Sequence, residues 1–275
     1  MATTPENLRD QVVTAFGATP DPRMRELLTT LAKHLHDFAI ETNLTVEEWL
    51  GGIEFLTAVG KMSDEKRQEC VLLSDVFGLS ALVDFLNGPQ DQDATENALL
   101  GPFYVSDAPL MENGDSIVQQ HEGEPVRLEG RVTGKGGEPL PGAQIEIWQI
   151  AANGQYDGQD PDMVENNMRG RFRTDDEGRY WLVTNRPFGY SVPTDGPVGR
   201  LLDVLGRDPM RAAHIHLRVS ADGYQPLVTQ MYDADCDYLE TDVVFGVRES
   251  LITPLEDDGD GGFIARFNVR LAPAG

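Results

Sequence analysis

The sequence predicts a mainly β protein with an α-helical N-terminal region, the β part being an antiparallel sandwich core. Three observations carry this. Apolar residues recur at helical spacing through the first third of the chain. From about Val126 the period changes to two. The short alternating runs that follow are separated by turns rich in Gly and Pro.

Asp21-Pro22 opens a helix carrying Leu27, Leu28, Leu31, Leu35 and Phe38 on one side. Thr45 and Glu48 form a capping-box pattern ahead of Trp49, Ile53 and Leu56. Ser63-Asp64-Glu65 is expected to open a third helix with Val71, Leu72 and Val76, and Gly78 and Gly88 are expected interruptions. The polar stretch from Asn87 to Asp93 marks a boundary, giving a helical region over 1–100 and a β-sandwich over 101–275. In the second part Val126, Leu128, Gly130 and Val132 alternate with polar residues, as does Ala143 to Trp148. Arg171–Thr174 and Tyr180–Val183 read as strands joined in a hairpin through Asp175-Asp-Glu-Gly178. His214–Val219, Pro226–Tyr232 and Phe263–Leu271 are the later strands, and a set of short strands of this kind suits a sandwich.

With 275 residues and 40% hydrophobic content the chain can bury a sizeable core. No run approaches the about 20 apolar residues of a membrane helix, so membrane insertion is not expected. The N-terminus, Met1-Ala-Thr-Thr-Pro-Glu, lacks the pattern of a secretory signal. Cys70 and Cys236 are the two cysteines, too few for a disulfide framework, so a reducing, cytoplasmic setting is expected. The net charge of −24 argues against nucleic acid as a partner.

Two His-x-His pairs differ by geometry. His34 and His36 lie in a helical segment, where residues two apart point about 200° from each other. His214 and His216 lie in a strand pattern, where residues two apart share a face, so two imidazoles stand side by side as a start for a transition-metal site. Two histidines need further ligands. Carboxylates are abundant, which leaves an iron(II) site with His214, His216 and an acid open. Two tyrosines also stand in glycine-containing turns before the histidines, Tyr156 in Gly154-Gln-Tyr-Asp-Gly158 and Tyr190 in Phe188-Gly-Tyr-Ser-Val-Pro193.

The segment from Trp148 to His216 resembles the iron site of the intradiol ring-cleaving dioxygenases. Their pattern is a Gly-x-Tyr after a Trp-bearing strand, a Gly-Tyr-x-x-Pro, and an Arg-x-Ala-His-x-His. The last reads Arg211-Ala212-Ala213-His214-Ile215-His216 here. The likeness extends to the N-terminal helices and to Gly101-Pro-Phe-Tyr104. Gly52-Ile-Glu-Phe-Leu-Thr57, Leu72-Leu-Ser-Asp75, Leu100-Gly-Pro-Phe103 and Asp195-Gly-Pro-Val-Gly199 resemble the hydroxyquinol 1,2-dioxygenase branch.

The resemblance implies one non-haem Fe(III) per subunit, held by Tyr156, Tyr190, His214 and His216. A hard ferric ion suits phenolate oxygen, and two phenolates reduce its charge from +3 to +1, which favours iron(III) over iron(II). The resemblance also implies cleavage of an aromatic diol or triol by dioxygen between the hydroxyl-bearing carbons. The substrate of that branch is hydroxyquinol, opened to 3-hydroxy-cis,cis-muconate or maleylacetate. Catechol and substituted catechols, giving cis,cis-muconates, are the alternative. Tyr190 then takes a substrate proton, Arg211 steadies negative charge on the ring, and Gln230 donates to the bound substrate. Leu72, Asp75, Leu99, Leu100, Gly101, Pro102, Phe103, Val192 and Pro193 line the ring by the same likeness, with Asp75 placed to accept from a third hydroxyl. The helical region is expected to form a homodimer interface that can enclose a phospholipid. A reading of another class stays open beside these: a non-catalytic β-sandwich that binds a ligand, which leaves the turn tyrosines and Arg211 unexplained.

Overall fold

The computed structural model describes residues 3–64, 67–89, 91 and 93–274. The chain divides into two compact units, Met1–Lys61 and Met62–Gly275.

The first unit is helical. Helix α1 spans Pro5–Phe16 and packs against α2, Pro22–Glu41, and α3 covers Val46–Met62. Asp21 caps α2 by accepting from Met24 N, with Pro22 at the first helical position, where a missing N–H does no harm. The capping box before α3 forms as read. Glu48 N donates to Thr45 Oγ1 at 3.2 Å, and Thr45 N donates back to Glu48 Oε2 at 2.9 Å. Leu27, Leu31, Leu35, Phe38, Trp49, Ile53 and Leu56 are exposed in the single chain. Among the described residues no helix is long and apolar enough to cross a membrane.

In the second unit α4 spans Glu69–Val76 and α5 spans Leu79–Asn87. The helix expected from Ser63 therefore starts six residues later. Asp64 instead accepts from Arg67 N at 2.7 Å, the local turn bond with which Asp competes against helix, and Glu65 lies outside the described residues. Gly78, left-handed at φ +69°, separates α4 from α5, and Gly88 ends α5.

Two five-stranded sheets follow. The first is built on β1 (Pro125–Thr133). The second orders β3 (Arg169–Arg173), β2 (Gln144–Trp148), β7 (His214–Ser220), β8 (Leu227–Asp233) and β9 (Ile252–Thr253). In the first sheet β1 pairs with β4 (Arg179–Asn185), β11 (Phe263–Arg266) and β12 (Val269–Arg270), while β10 (Leu255–Asp257) extends β11. A two-stranded ribbon joins β5 (Tyr190–Ser191) to β6 (Met210–Arg211), with helix α6 (Pro197–Leu205) between them.

Three details differ from the sequence reading. The sheets are mixed, since β1 pairs parallel with β11 and β12, and β8 with β9. The run Phe263–Leu271 splits in two where Phe267 turns its carbonyl to accept from Tyr180 Oη at 2.7 Å. The turn at 175–178 closes locally, with Gly178 N donating to Asp175 O, but β3 and β4 enter different sheets rather than a hairpin. Buried Thr174 makes this corner. Its hydroxyl donates to Leu140 O and accepts from Ala143 N, so β3 is tied to β2 just before the chain crosses over.

Val126, Leu128, Val132 and Leu182 of one sheet meet Ile145, Ile147, Phe172, Ile215, Leu217 and Val219 of the other in one core. Alternation decides what happens next. Because Ile215 and Leu217 face that core, His214 and His216 face the other side of their sheet. Trp148 and Gln230 stand beside His216 there in the ladders.

Candidate active site

Two strands and one loop deliver the key side chains. His214 and His216 come from β7, with Nε2 atoms 3.1 Å apart. Tyr156 comes from a loop held from both sides. Its N–H donates to Gln159 Oε1, and the next residue, Asp157, takes a forked contact from Arg169 and a bond from Asn166 N. Tyr190 comes from β5, directly opposite Arg211 in the ribbon. The Tyr156 and Tyr190 hydroxyl oxygens are 3.4 Å apart, and the Tyr190 ring lies 5.6 Å from that of His214. The four predicted ligands thus form one cluster in which Tyr156, His214 and His216 are buried and Tyr190 is half-buried.

Neighbouring groups fix the rings. His214 Nδ1 is 2.6 Å from the Ala212 carbonyl, an acceptor only, so the proton sits on Nδ1 and the Nε2 lone pair faces inward. Trp148 stacks on His216 at 4.7 Å, nearly parallel, and Phe103 stacks on Tyr156 at 4.3 Å. Gly101 is left-handed at φ +72°, and a Cβ there would stand 3.4 Å from His216 Cε1, so the 99–103 segment lies directly on the imidazole. Leu99 offers its carbonyl to Gln230 Nε2 at 2.6 Å.

The electrostatics favour neutral nitrogen donors. Burial pushes both histidines down, and the Arg211 charge adds to this, so both stay uncharged with lone pairs available. Burial, then the neighbouring Tyr190, pushes the Tyr156 phenol well above its ordinary value, so a cation must offset that energy before it ionises. Two nitrogens about 2.1 Å from one ion at right angles stand about 3 Å apart, close to the His214–His216 separation. The donor set fits a cation. Among the described residues no group of three or more His, Cys, Asp or Glu is placed to hold a metal ion, so no acid stands with His214 and His216 as the iron(II) alternative requires.

Arg211 is buried against Asp242, its Nε donating to Oδ1 at 2.8 Å. Burial works against its charge, but Asp242, Tyr190 and Tyr232 outweigh burial and raise its pKa. Arg211 Nη2 also donates to Gln230 Oε1 at 3.2 Å, where Tyr232 Oη donates as well. Asp75 lies near enough to feel Arg211 and Asp242. Burial raises its pKa, partly countered by a bond from Ser80 and by the Arg211 charge. Leu72 is half-buried on α4, Val192 is buried with its N–H donating to Pro209 O, and Leu100, Pro102 and Pro193 are exposed.

Sequence reasoning missed Asp242, Tyr232 and the Asp157–Arg169 pair. No spacing marks Asp242, since it lies 31 residues from Arg211 in irregular chain. Asp157 stands beside a singled-out tyrosine and could have been suspected from that alone.

Comparison with known proteins agrees along the chain. A family model described as Dioxygenase matches residues 99–273, and one described as Catechol dioxygenase N terminus matches residues 21–95. The catechol 1,2-dioxygenase of Candida albicans is 43% identical over 268 residues, covering 95% of this chain and 88% of that protein. The 6-chlorohydroxyquinol 1,2-dioxygenase of Cupriavidus pinatubonensis is 42% identical over 267 residues, covering 97% of each. The solved structure of a hydroxyquinol 1,2-dioxygenase from Pseudomonas putida superposes with a TM-score of 0.94 at 40% identity, covering 98% of this chain and 99% of that one. With a Tyr–Tyr–His–His cluster beside a buried arginine and family matches over nearly its whole length, the chain belongs to the intradiol ring-cleavage dioxygenases.

Proposed function

We propose that this protein is a hydroxyquinol 1,2-dioxygenase that opens benzene-1,2,4-triol between the two adjacent hydroxyl-bearing carbons, with catechol as the alternative substrate. The carrying observation is the meeting of His214 Nε2 and His216 Nε2, 3.1 Å apart on two neutral imidazoles, with two phenol oxygens 3.4 Å apart. Tyr156, Tyr190, His214 and His216 would hold one Fe(III). Bound there, the ion supplies a Lewis acid that chelates the diol and an oxidised centre that makes the ring reactive toward dioxygen. The chain's own groups do the rest. Tyr190 Oη, the half-buried phenol oxygen, takes up one proton of the diol as it binds. The Arg211 guanidinium stabilises negative charge growing on the ring oxygens, and Asp242 keeps it charged and aimed. Gln230 has both ends of its amide engaged, so it acts as a positioning residue for Arg211 and His216.

The choice of the triol rests on Asp75, a half-buried carboxyl close to Arg211, and on the hydroxyquinol names of similar proteins. Leu72, Leu99 to Phe103, Val192 and Pro193 form the apolar slot around a flat ring. We read the region to residue 100 as the dimerisation domain, because Leu31, Leu35, Phe38 and Trp49 stay exposed in the single chain, and a phospholipid in that interface suits such a surface. The two free cysteines, Cys70 and Cys236, suit a cytoplasmic setting.

A visible spectrum of the iron-loaded protein tests the reading. A broad phenolate-to-iron band is expected, and it should shift when hydroxyquinol is added without oxygen. A colourless loaded protein, or a band indifferent to both hydroxyquinol and catechol, overturns it.

A further inference from the structure

We infer that Arg67, Glu69 and Asp195 form a clamp that sets the width of the substrate slot and are positioning residues for the aromatic ring; this rests on the function proposed above. Glu69 opens α4, and its carboxylate is fully enclosed. Oε1 accepts from Val198 N at 3.1 Å, an N–H in the first turn of α6 that has no partner in its own helix. The N-cap of α6 is Gly196, which has no side chain to serve that turn, so Glu69 serves it from far along the chain. Oε2 accepts from Arg67 Nε at 3.2 Å and Nη2 at 3.0 Å. Arg67 then reaches Asp195 with a two-pronged grip, Nη1 to Oδ2 at 2.9 Å and Nη2 to Oδ1 at 2.8 Å.

These bonds join two walls of the slot. Helix α4 carries Leu72 and Asp75. The loop ending in Asp195 carries Val192 and Pro193 and leads directly from Tyr190. The loop backbone rests on the clamp itself, because a Cβ on Gly196 would stand 2.2 Å from Glu69 Oε1 and 2.9 Å from Arg67 Nη2. A buried carboxylate is expensive unless fully paired, and among the described residues the Glu69 carboxylate is paired by Val198 N on α6 and by Arg67. Among the described residues no hydrogen bond or ion pair joins the clamp to the reacting cluster, so its effect reaches the substrate through the spacing of the walls.

The test uses full-length, iron-loaded Arg67→Gln, Asp195→Asn and the double variant. Asp195 has 69% of its side chain exposed, so Asp195→Asn reads the clamp without threatening the core. Anaerobic titration followed by the visible band gives Kd for hydroxyquinol and for catechol, and steady-state assays give kcat and KM. Each single variant should bind hydroxyquinol about tenfold more weakly with kcat within about twofold of wild type. The double variant should lose no more than the worse single one, because both break the same contact. Iron content and the resting band should match wild type, and the preference for hydroxyquinol over catechol should narrow. Wild-type affinity in both single variants, additive losses, or a loss confined to kcat or to iron content overturns the clamp. A wild-type protein without the band or its shift overturns the proposed function and the clamp together.

Discussion

Gln230 stands directly across the β7–β8 ladder from His216, and its amide nitrogen lies 3.3 Å from His216 Nδ1. The same amide reaches the Leu99 carbonyl, while its oxygen accepts from Arg211 and Tyr232. One buried side chain therefore links His216, Arg211 and the segment over the imidazole.

Gln230→Ala should be severe for this reason. It leaves Arg211 Nη2 and Tyr232 Oη without their acceptor in a dry site, at about 1–3 kcal/mol for each buried unsatisfied group. Thermal unfolding should show a clear drop in Tm. Loss of support behind the proposed ligand His216 and the proposed charge stabiliser Arg211 is expected to lower kcat by about 10–100-fold, with a smaller change in KM. Unchanged kcat in a folded Gln230→Ala protein would remove Gln230 from the site's support.

The pair Arg211–Asp242 sets a pH dependence. Asp242 is buried; burial alone would raise its pKa, but Arg211 and the N–H groups of Ala212 and Gly246 hold it below the ordinary carboxylate range. A depressed folded pKa adds stability that is fully present above the unfolded value, about 3.9, and is lost as pH falls through the folded value. Asp242→Asn should destabilise the protein by about 3–5 kcal/mol at neutral pH, because Arg211 is left charged and unpaired. The gap to wild type should shrink as pH drops below about 4. Urea unfolding across that range checks it, and a gap that widens on acidification would contradict it.

Much of this was legible in the sequence, and the reasons are physical. Alternation in β7 places His214 and His216 on one face from the sequence alone, because strand period is a local property. The caps at Asp21 and Thr45 are also local, and both formed as read. What escaped depends on long-range choices. The turn at 175–178 has the residues of a hairpin, yet Thr174 binds Leu140 and Ala143 and sends β3 to a different sheet from β4. Asp242 pairs with Arg211 from an irregular stretch, and a single acid among 46 acidic residues carries no sign of its partner.

Tyr156→Phe separates metal binding from folding. The Tyr156 hydroxyl has Tyr190 Oη as its neighbour at 3.4 Å, longer than an ordinary O–H···O bond. Removing it should change metal-free stability by less than about 1 kcal/mol, with the stacking on Phe103 kept. Iron should raise the Tm of wild type, since a ligand that binds only the folded state stabilises it by mass action. That increment, and the visible band, should be largely lost in Tyr156→Phe. Equal iron-dependent increments in the two proteins would exclude Tyr156 from the ligand set.

Asp75 supplies the last expectation, which concerns substrate choice. Its carboxyl is half-buried, and burial raises its pKa despite the bond from Ser80 and the charge of Arg211. In the role proposed for it, the carboxylate accepts a hydrogen bond from a third ring hydroxyl. When catechol binds, that acceptor is left without its partner, which penalises catechol relative to hydroxyquinol. Asp75→Ala should therefore lower kcat/KM for hydroxyquinol by about 10–100-fold and raise that for catechol, whose unpaired acceptor is removed. The sign with pH follows from the raised pKa. Above it the carboxylate discriminates, and as pH falls through it the group gains a proton and the hydroxyquinol-to-catechol ratio of kcat/KM declines. Measuring both substrates at each pH cancels effects common to the two. A ratio that is flat with pH in wild type, together with equal losses on both substrates in Asp75→Ala, would assign the third-hydroxyl contact to another group.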